Sequence, residues 1–147
     1  MEYNEIIKNL PYSKPFLFID GLDEIDENRA KGFYTFHGRS EFYKGHFKNH
    51  PVTPGVILTE CCAQIGLVCL GIFLLGPNNI KDMKIGMSSS EMEFYVPVYP
   101  NEKVTITSSK VYFRFNKLKC KVKMHNEKGE LVCKGVLAGM LKKDGDE

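Results

Sequence analysis

The apolar positions of this 147-residue chain fall into two regimes. From Gly55 to Leu75 the residues are apolar almost without a break, and only Thr59, Glu60 and Gln64 are clearly polar. Beyond Pro77 the pattern changes to alternation of apolar and polar residues, the period-two signature of strands with two different faces. The first regime predicts one helix from Pro54 to about Leu75, with Thr53 as its capping residue and Pro54 at the first helical position, where a missing N–H costs nothing. Gly76-Pro77 is its expected stop. The second regime predicts strands over Lys84 to Tyr95, Lys103 to Thr107, Val111 to Phe115, Leu118 to His125 and Leu131 to Leu141. Turn chemistry at Pro97 to Asn101, Asn116-Lys117 and Asn126 to Gly129 joins them as antiparallel hairpins. Upstream, Asn4 to Leu10 reads as a short helix. Phe16 to Asp20 and Ala30 to His37 read as two strands joined by an acidic turn, Asp23 to Asn28.

A helix that is apolar all round hides only if something surrounds it. The expected architecture is therefore α+β: a single domain over residues 1–147 in which an antiparallel sheet curls around one long central helix. A single curled sheet still has open edges, so pairing with a second copy is the natural way to complete burial. Gly55 to Leu75 also approaches the length of about 20 residues that spans a bilayer. Glu60, Gln64 and the strand-rich flanks argue against a membrane span.

Composition adds little beyond exclusions. A net charge of +2 with 20 basic and 18 acidic residues does not point to nucleic acid. The first eight residues carry acids and lack the basic start and apolar core of a signal peptide, so the expected location is the cytoplasm. Five cysteines, Cys61, Cys62, Cys69, Cys120 and Cys133, are odd in number and show no CxxC spacing, and they read as reduced packing residues rather than disulfide or zinc ligands.

The chemistry concentrates between Gly45 and Glu60. An imidazole, His46, precedes the helix, and a lone carboxylate, Glu60, sits inside it; Gln64 follows one turn later on the same face. That pairing suggests acid–base chemistry. Gly45-His46-Phe47 with His50-Pro51-Val52 and Pro54-Gly55-Val56, then Glu60 and Ala63-Gln64, resembles the bacterial (3R)-hydroxyacyl-acyl-carrier-protein dehydratases of the FabZ type. Leu10-Pro11 with Pro15 to Asp20 is similar to that family's first strand, and Phe94 with Val96-Pro97-Val98 to its later substrate-side segment, so the resemblance covers nearly the whole chain. It implies the hot-dog fold and His46 and Glu60 as the catalytic pair, contributed to one site by different subunits. It also implies a homodimer or higher homo-oligomer, and an acyl carrier protein as the partner that delivers substrate. Lys48 stands where the family usually has proline, Asn49 where it has glycine, Thr53 where it has methionine, and the basic residue expected near Tyr12 is displaced to Lys14. These departures leave open whether the acyl chain belongs to fatty-acid, polyene or polyketide synthesis. Glutamate at position 60, rather than the aspartate of the related dehydratase-isomerases, counts against added double-bond isomerisation.

Dehydrating a 3-hydroxyacyl thioester requires a base at C2, an acid at the leaving hydroxyl and a donor for the charge on the thioester oxygen. A neutral imidazole, with its ordinary pKa near 6.5, suits the first task at His46. Glu60, desolvated by its helix, suits the second. The N–H of Gly55, in the first turn where donors are unsatisfied and the dipole is positive, suits the third. Phe47 and Val56, with Phe94 and Tyr95, are candidates to line an acyl tunnel, although core packing is the default for such residues. His50 before Pro51 shapes the loop. Gln64 has two readings, orienting Glu60 or bonding to a neighbouring element. The alternation Lys117, Lys119, Lys121, Lys123 offers a face for an acidic carrier protein, against the simpler reading of a charged outer face. No metal or organic cofactor is expected, since the phosphopantetheine arm arrives as part of the substrate. Two competing functions stand beside the hydro-lyase, an acyl thioesterase and a non-catalytic acyl-binding subunit.

Overall fold

The computed structural model describes residues 2–76, 79 and 83–143. Helix α1 (Tyr3–Lys8) precedes strands β1 (Gly21–Ile25) and β2 (Arg29–Thr35), and a short 3₁₀ turn (Glu41–Lys44) leads to the loop carrying His46. Helix α2 (Gly55–Leu75) follows, then β3 (Met83–Phe94), β4 (Lys103–Arg114), β5 (Lys117–Asn126) and β6 (Leu131–Lys143). The strands form one antiparallel sheet in the order β1-β2-β4-β5-β6-β3, so β1 and β3 are its edges. This is the hot-dog arrangement, with α2 as the filling.

Helix α2 is buried as its composition demands. Every residue from Cys61 to Ile72 is buried, and Val56 alone in α2 is exposed. Leu58, Ile65, Leu67, Leu70 and Ile72 keep 3% or less of their surface, and fully burying each such side chain is worth about 1.5–3 kcal/mol. The helix is therefore the core of this fold rather than a membrane span. Between Gln64 and Val68 it widens to π geometry, and there the Ser108 hydroxyl of β4 donates to the Gly66 carbonyl at 2.7 Å. At the far end Gly76 takes φ +79 and its N–H bonds to the Ile72 carbonyl, the left-handed stop expected of glycine. Pro77, the second half of that expected stop, lies outside the described residues.

The sheet follows the alternation. Along β5, Leu118, Cys120, Val122 and Met124 are buried against α2, whereas Lys117, Lys119, Lys121 and Lys123 take the other face. All five cysteines are free and buried.

Several boundaries differ from the sequence reading. Phe16 to Asp20 is not a strand; the Phe18 N–H and the Phe16 C=O turn to the Gln64 side chain of α2, the Asp20 N–H reaches the Phe33 carbonyl of β2, and β1 starts at Gly21. The acidic stretch is therefore partly strand, and the turn shrinks to Asp26–Arg29, where the Asp26 carboxylate accepts the N–H groups of Asn28 and Arg29 at 2.8 Å. Lys103 to Thr107 and Val111 to Phe115 are halves of one strand, β4, divided by a bulge between Lys110 and Tyr112. Thr53 caps nothing. The helix starts at Gly55 with Pro54 at the N-cap position, and no side chain caps it.

Candidate active site

The loop before α2 is held by its own backbone. His46 N–H donates to the Phe42 carbonyl at 3.0 Å, and Val52 N–H to the His46 carbonyl at 2.8 Å. Between them Phe47 and His50 exchange two N–H···O bonds of 2.9 Å each, a tight turn with Lys48 and Asn49 at its tip. Asn49 has φ +66, a left-handed position where glycine is at ease and asparagine is the tolerated substitute. His50 thus shapes the loop, as its place before proline predicts. Within this frame the His46 Nδ1 lies 2.9 Å from the Val52 carbonyl. A carbonyl only accepts, so Nδ1 carries a proton, and in the neutral ring Nε2 keeps its lone pair. The half-buried ring stacks on Phe47 with centroids 4.1 Å apart.

Glu60 is set on the second turn of α2 and is half-buried. Burial raises its carboxyl above the ordinary 4.5, and a hydrogen bond from Gln64 works in the opposite direction. The Gln64 Nε2 donates to Glu60 Oε2 at 3.0 Å and to the Phe16 carbonyl at 3.0 Å, while its Oε1 accepts the Phe18 N–H at 2.8 Å. Because the Phe18 N–H only donates, the amide has one orientation, with its NH₂ toward Glu60. Both readings of Gln64 are thus realised in one residue. Tyr12 stands near this carboxyl: its phenol is pushed up to about 12, first by burial and then by Glu60.

The other expected residues are less gathered. Gly55 lies under the Phe94 ring, where an added Cβ would sit 3.3 Å from the ring's tip. The close approach this glycine permits is made by Phe94 of the same chain. Its N–H is one of the helix's unpaired first-turn donors. Among the described residues Phe47 and Val56 line no enclosed tunnel; they stay 59% and 76% exposed, and Phe94 and Tyr95 47% each. A cavity of about 670 Å³ opens alongside, lined by Phe47, His50, Val52, Pro97 and Tyr99. No hydrogen bond joins His46 to Glu60 among the described residues. The imidazole is fastened to its loop, and the carboxyl to Gln64, whose amide in turn bonds the main chain of Phe16 and Phe18. Cys61 and Cys62 point into the core, and burial pushes the Cys61 thiol well above its ordinary value, which removes it as a nucleophile.

Sequence reasoning missed three contributors: Tyr12, the backbone of Phe16 and Phe18, and Tyr43. The Tyr43 hydroxyl meets Thr53 Oγ1 at 2.5 Å in the protein interior. The only linear signal for that pair was a hydroxyl residue at each end of the loop.

Comparison with known proteins shows the family of the chain. The family model described as a FabA-like domain matches residues 10–139. A protein named 3-hydroxyacyl-[acyl-carrier-protein] dehydratase FabZ from Ehrlichia chaffeensis is 31% identical over 150 residues, covering 98% of this chain and 99% of that one. A protein of the same name from Petrotoga mobilis is 33% identical over 104 residues, with 71% and 72% covered. Among solved structures, a mutant thioesterase from Pseudomonas aeruginosa superposes with a TM-score of 0.71 over 97% of this chain and 95% of its own at 10% identity. A hypothetical thioesterase with coenzyme A from Streptococcus pneumoniae gives 0.62 at 14% identity, with 83% and 84% covered. At such identities the structures speak for the fold alone, whereas the sequence matches span the loop of His46, the helix of Glu60 and the sheet around them: the chain belongs to the FabA-like family, among relatives of the FabZ type.

Proposed function

We propose that this protein is a hydro-lyase that dehydrates (3R)-hydroxyacyl thioesters carried on acyl carrier protein to trans-2-enoyl thioesters. The observation that carries the reading is the contrast between its two titratable groups. His46 is pinned through Nδ1 so that Nε2 is free to accept a proton, while burial favours the protonated form of Glu60. In this reaction Nε2 of His46 takes the C2 proton, the C2–C3 double bond forms as the C3–O bond breaks, and the Glu60 carboxyl gives its proton to the leaving hydroxyl, which departs as water. The Gly55 N–H holds the thioester oxygen while charge builds on it. Proton transfer from His46 back to Glu60 resets the site, so the step needs no metal or organic cofactor.

The proposal includes a homodimer. The separate anchoring of His46 and Glu60, the open edge of β3 and the exposed Phe47, Val56, Phe94 and Tyr95 together support a site completed by a second copy. The carrier protein is the delivering partner, and the cytoplasm the place of work.

The test is interconversion of a short 3-hydroxyacyl and enoyl carrier-protein thioester pair, followed by mass spectrometry. The rate is expected to fall by about 10²–10⁴ in His46→Ala and in Glu60→Gln. Release of free acid without interconversion would make the protein a thioesterase. Neither reaction across several chain lengths would make it a non-catalytic acyl-binding subunit.

A further inference from the structure

The loop from Lys44 to Pro54 carries His46, and its two ends are tied together inside the protein. Tyr43 and Thr53 are buried, at 6% and 4% exposure, and their hydroxyl oxygens lie 2.5 Å apart. Thr53 is held from the other side as well, since its N–H donates to the Val98 carbonyl at 2.8 Å. Each bond that orients the imidazole is one residue from this pair. Val52, whose carbonyl takes the Nδ1 proton, precedes Thr53; Phe42, whose carbonyl takes the His46 N–H, precedes Tyr43.

We infer that the Tyr43–Thr53 hydroxyl pair is a positioning device for His46, setting the Val52 carbonyl where it selects the tautomer that leaves Nε2 basic. The inference rests on the reading of His46 as the base. Its energetic logic is the asymmetry of buried hydrogen bonds. Made, the bond adds only modestly to stability; with one partner removed, the orphaned buried hydroxyl costs more than the bond contributed. A loop so strained relaxes to give that hydroxyl another partner, and the Val52 carbonyl is next to the point of relaxation. A shift of about 1 Å in a reacting group is enough to cost up to about 10²-fold in rate. Simple glue between two loop ends would behave differently, because losing it would lower the melting temperature and leave the imidazole's proton where it was.

The test compares Thr53→Val, Tyr43→Phe and the double variant with Thr53→Ser, which keeps the hydroxyl. Two readouts are used: the kcat and KM split for a 3-hydroxyacyl carrier-protein thioester, and the ¹⁵N signals of the His46 ring. Each hydroxyl deletion is expected to lower kcat by about 10–30-fold with KM within about 2-fold, and to turn the single Nδ1–H tautomer into a mixture. Thr53→Ser is expected to restore both readouts, and the double variant to be no worse than either single one, as for two ends of one bond. A folded Thr53→Val or Tyr43→Phe protein with unchanged kcat and an unchanged tautomer overturns the inference, and so does an equal loss in Thr53→Ser. If one deletion does not fold, the other carries the same expectation from the opposite end of the bond. A wild-type protein without dehydratase activity would defeat the functional reading, while the ring signals would still report whether the hydroxyl pair sets the tautomer.

Discussion

Glu60 stands above its ordinary value of 4.5 because its helix desolvates it, with the Gln64 amide pulling the other way. Between the unfolded value and the raised folded one, the native protein binds more protons than the unfolded chain, so this group's contribution to stability falls as pH rises through that window. Glu60→Gln keeps an oxygen for the Gln64 N–H and removes the titration. The variant is expected to melt above wild type at about pH 8 and to lose that advantage as the pH approaches about 4, where both carboxyl forms are protonated. Thermal melts across that range decide it, and a gap that does not change with pH would rule the account out. His46 and Glu60 were legible in the sequence as a candidate acid–base pair, because a lone carboxylate in an apolar helix stands out and an imidazole precedes that helix. The role of Thr53 was not. A threonine and a proline ahead of an apolar run are the ordinary signal of a cap, and only folding brings Tyr43 within 2.5 Å of that hydroxyl. Lys48 and Asn49 became intelligible once the turn was visible, since a positive φ at Asn49 is met by asparagine nearly as well as by glycine.

Helix α2 meets the sheet closely enough that its glycines are not equivalent. A Cβ at Gly66 would lie 2.9 Å from Val122 Cγ1 and 3.0 Å from Ser108 Cβ, whereas at Gly71 its nearest neighbour is the mobile tip of Ile85, at 3.3 Å. Helix propensity favours alanine over glycine by about 0.8–1 kcal/mol at either position. Overpacking costs about 1–3 kcal/mol and outweighs that gain at Gly66. Gly66→Ala is therefore expected to destabilise the protein by about 1–2 kcal/mol, and Gly71→Ala to be neutral or stabilising by up to about 0.5 kcal/mol, as read from paired denaturant melts. Helix α2 was readable from its nearly unbroken apolar run, and β3, β5 and β6 from their alternation. Phe16 to Asp20 was misread because a short apolar run bounded by turn residues has the same composition as a buried strand. What separates them is the destination of their backbone bonds: the Phe16 C=O and the Phe18 N–H go to the Gln64 side chain, and the Asp20 N–H alone reaches β2, at the Phe33 carbonyl. The bulge at Lys110 to Tyr112 likewise shifts the alternation by one residue, and a single strand then looks like two.

The whole molecule is a sheet with two edges, and β3 is the long one, at 12 residues with Met87 exposed along it. Lys84, Glu91 and Glu93 flank a stretch, Ile85 to Ser90, that has neither charge nor proline, and natural proteins rarely leave such a stretch of edge without a partner. If the second copy pairs there, Met87→Lys is expected to shift the protein from dimer to monomer in sedimentation velocity and to reduce dehydration by at least about 10-fold, because each copy then keeps half of a site. A variant that stays dimeric and fully active would place the interface elsewhere. That the sheet encloses the helix was legible from the helix being apolar all round. That His46 and Glu60 meet across two subunits is implied by the resemblance alone, because linear register says nothing about which surfaces of the chain their anchors occupy.

The Gln64 amide takes hold of the main chain of Phe16 and Phe18, not of their side chains. Main-chain groups are the same for nearly every amino acid, so the segment passing over the acid is free to vary wherever packing allows without disturbing how the acid is oriented. Proline at position 18 is the exception, since it has no N–H to fix the amide. Mutational tolerance should therefore be lopsided. Position 64 is held to one shape and one polarity, whereas the residues it grips answer only to volume, and this part of the site has room to drift in sequence while standing still in space.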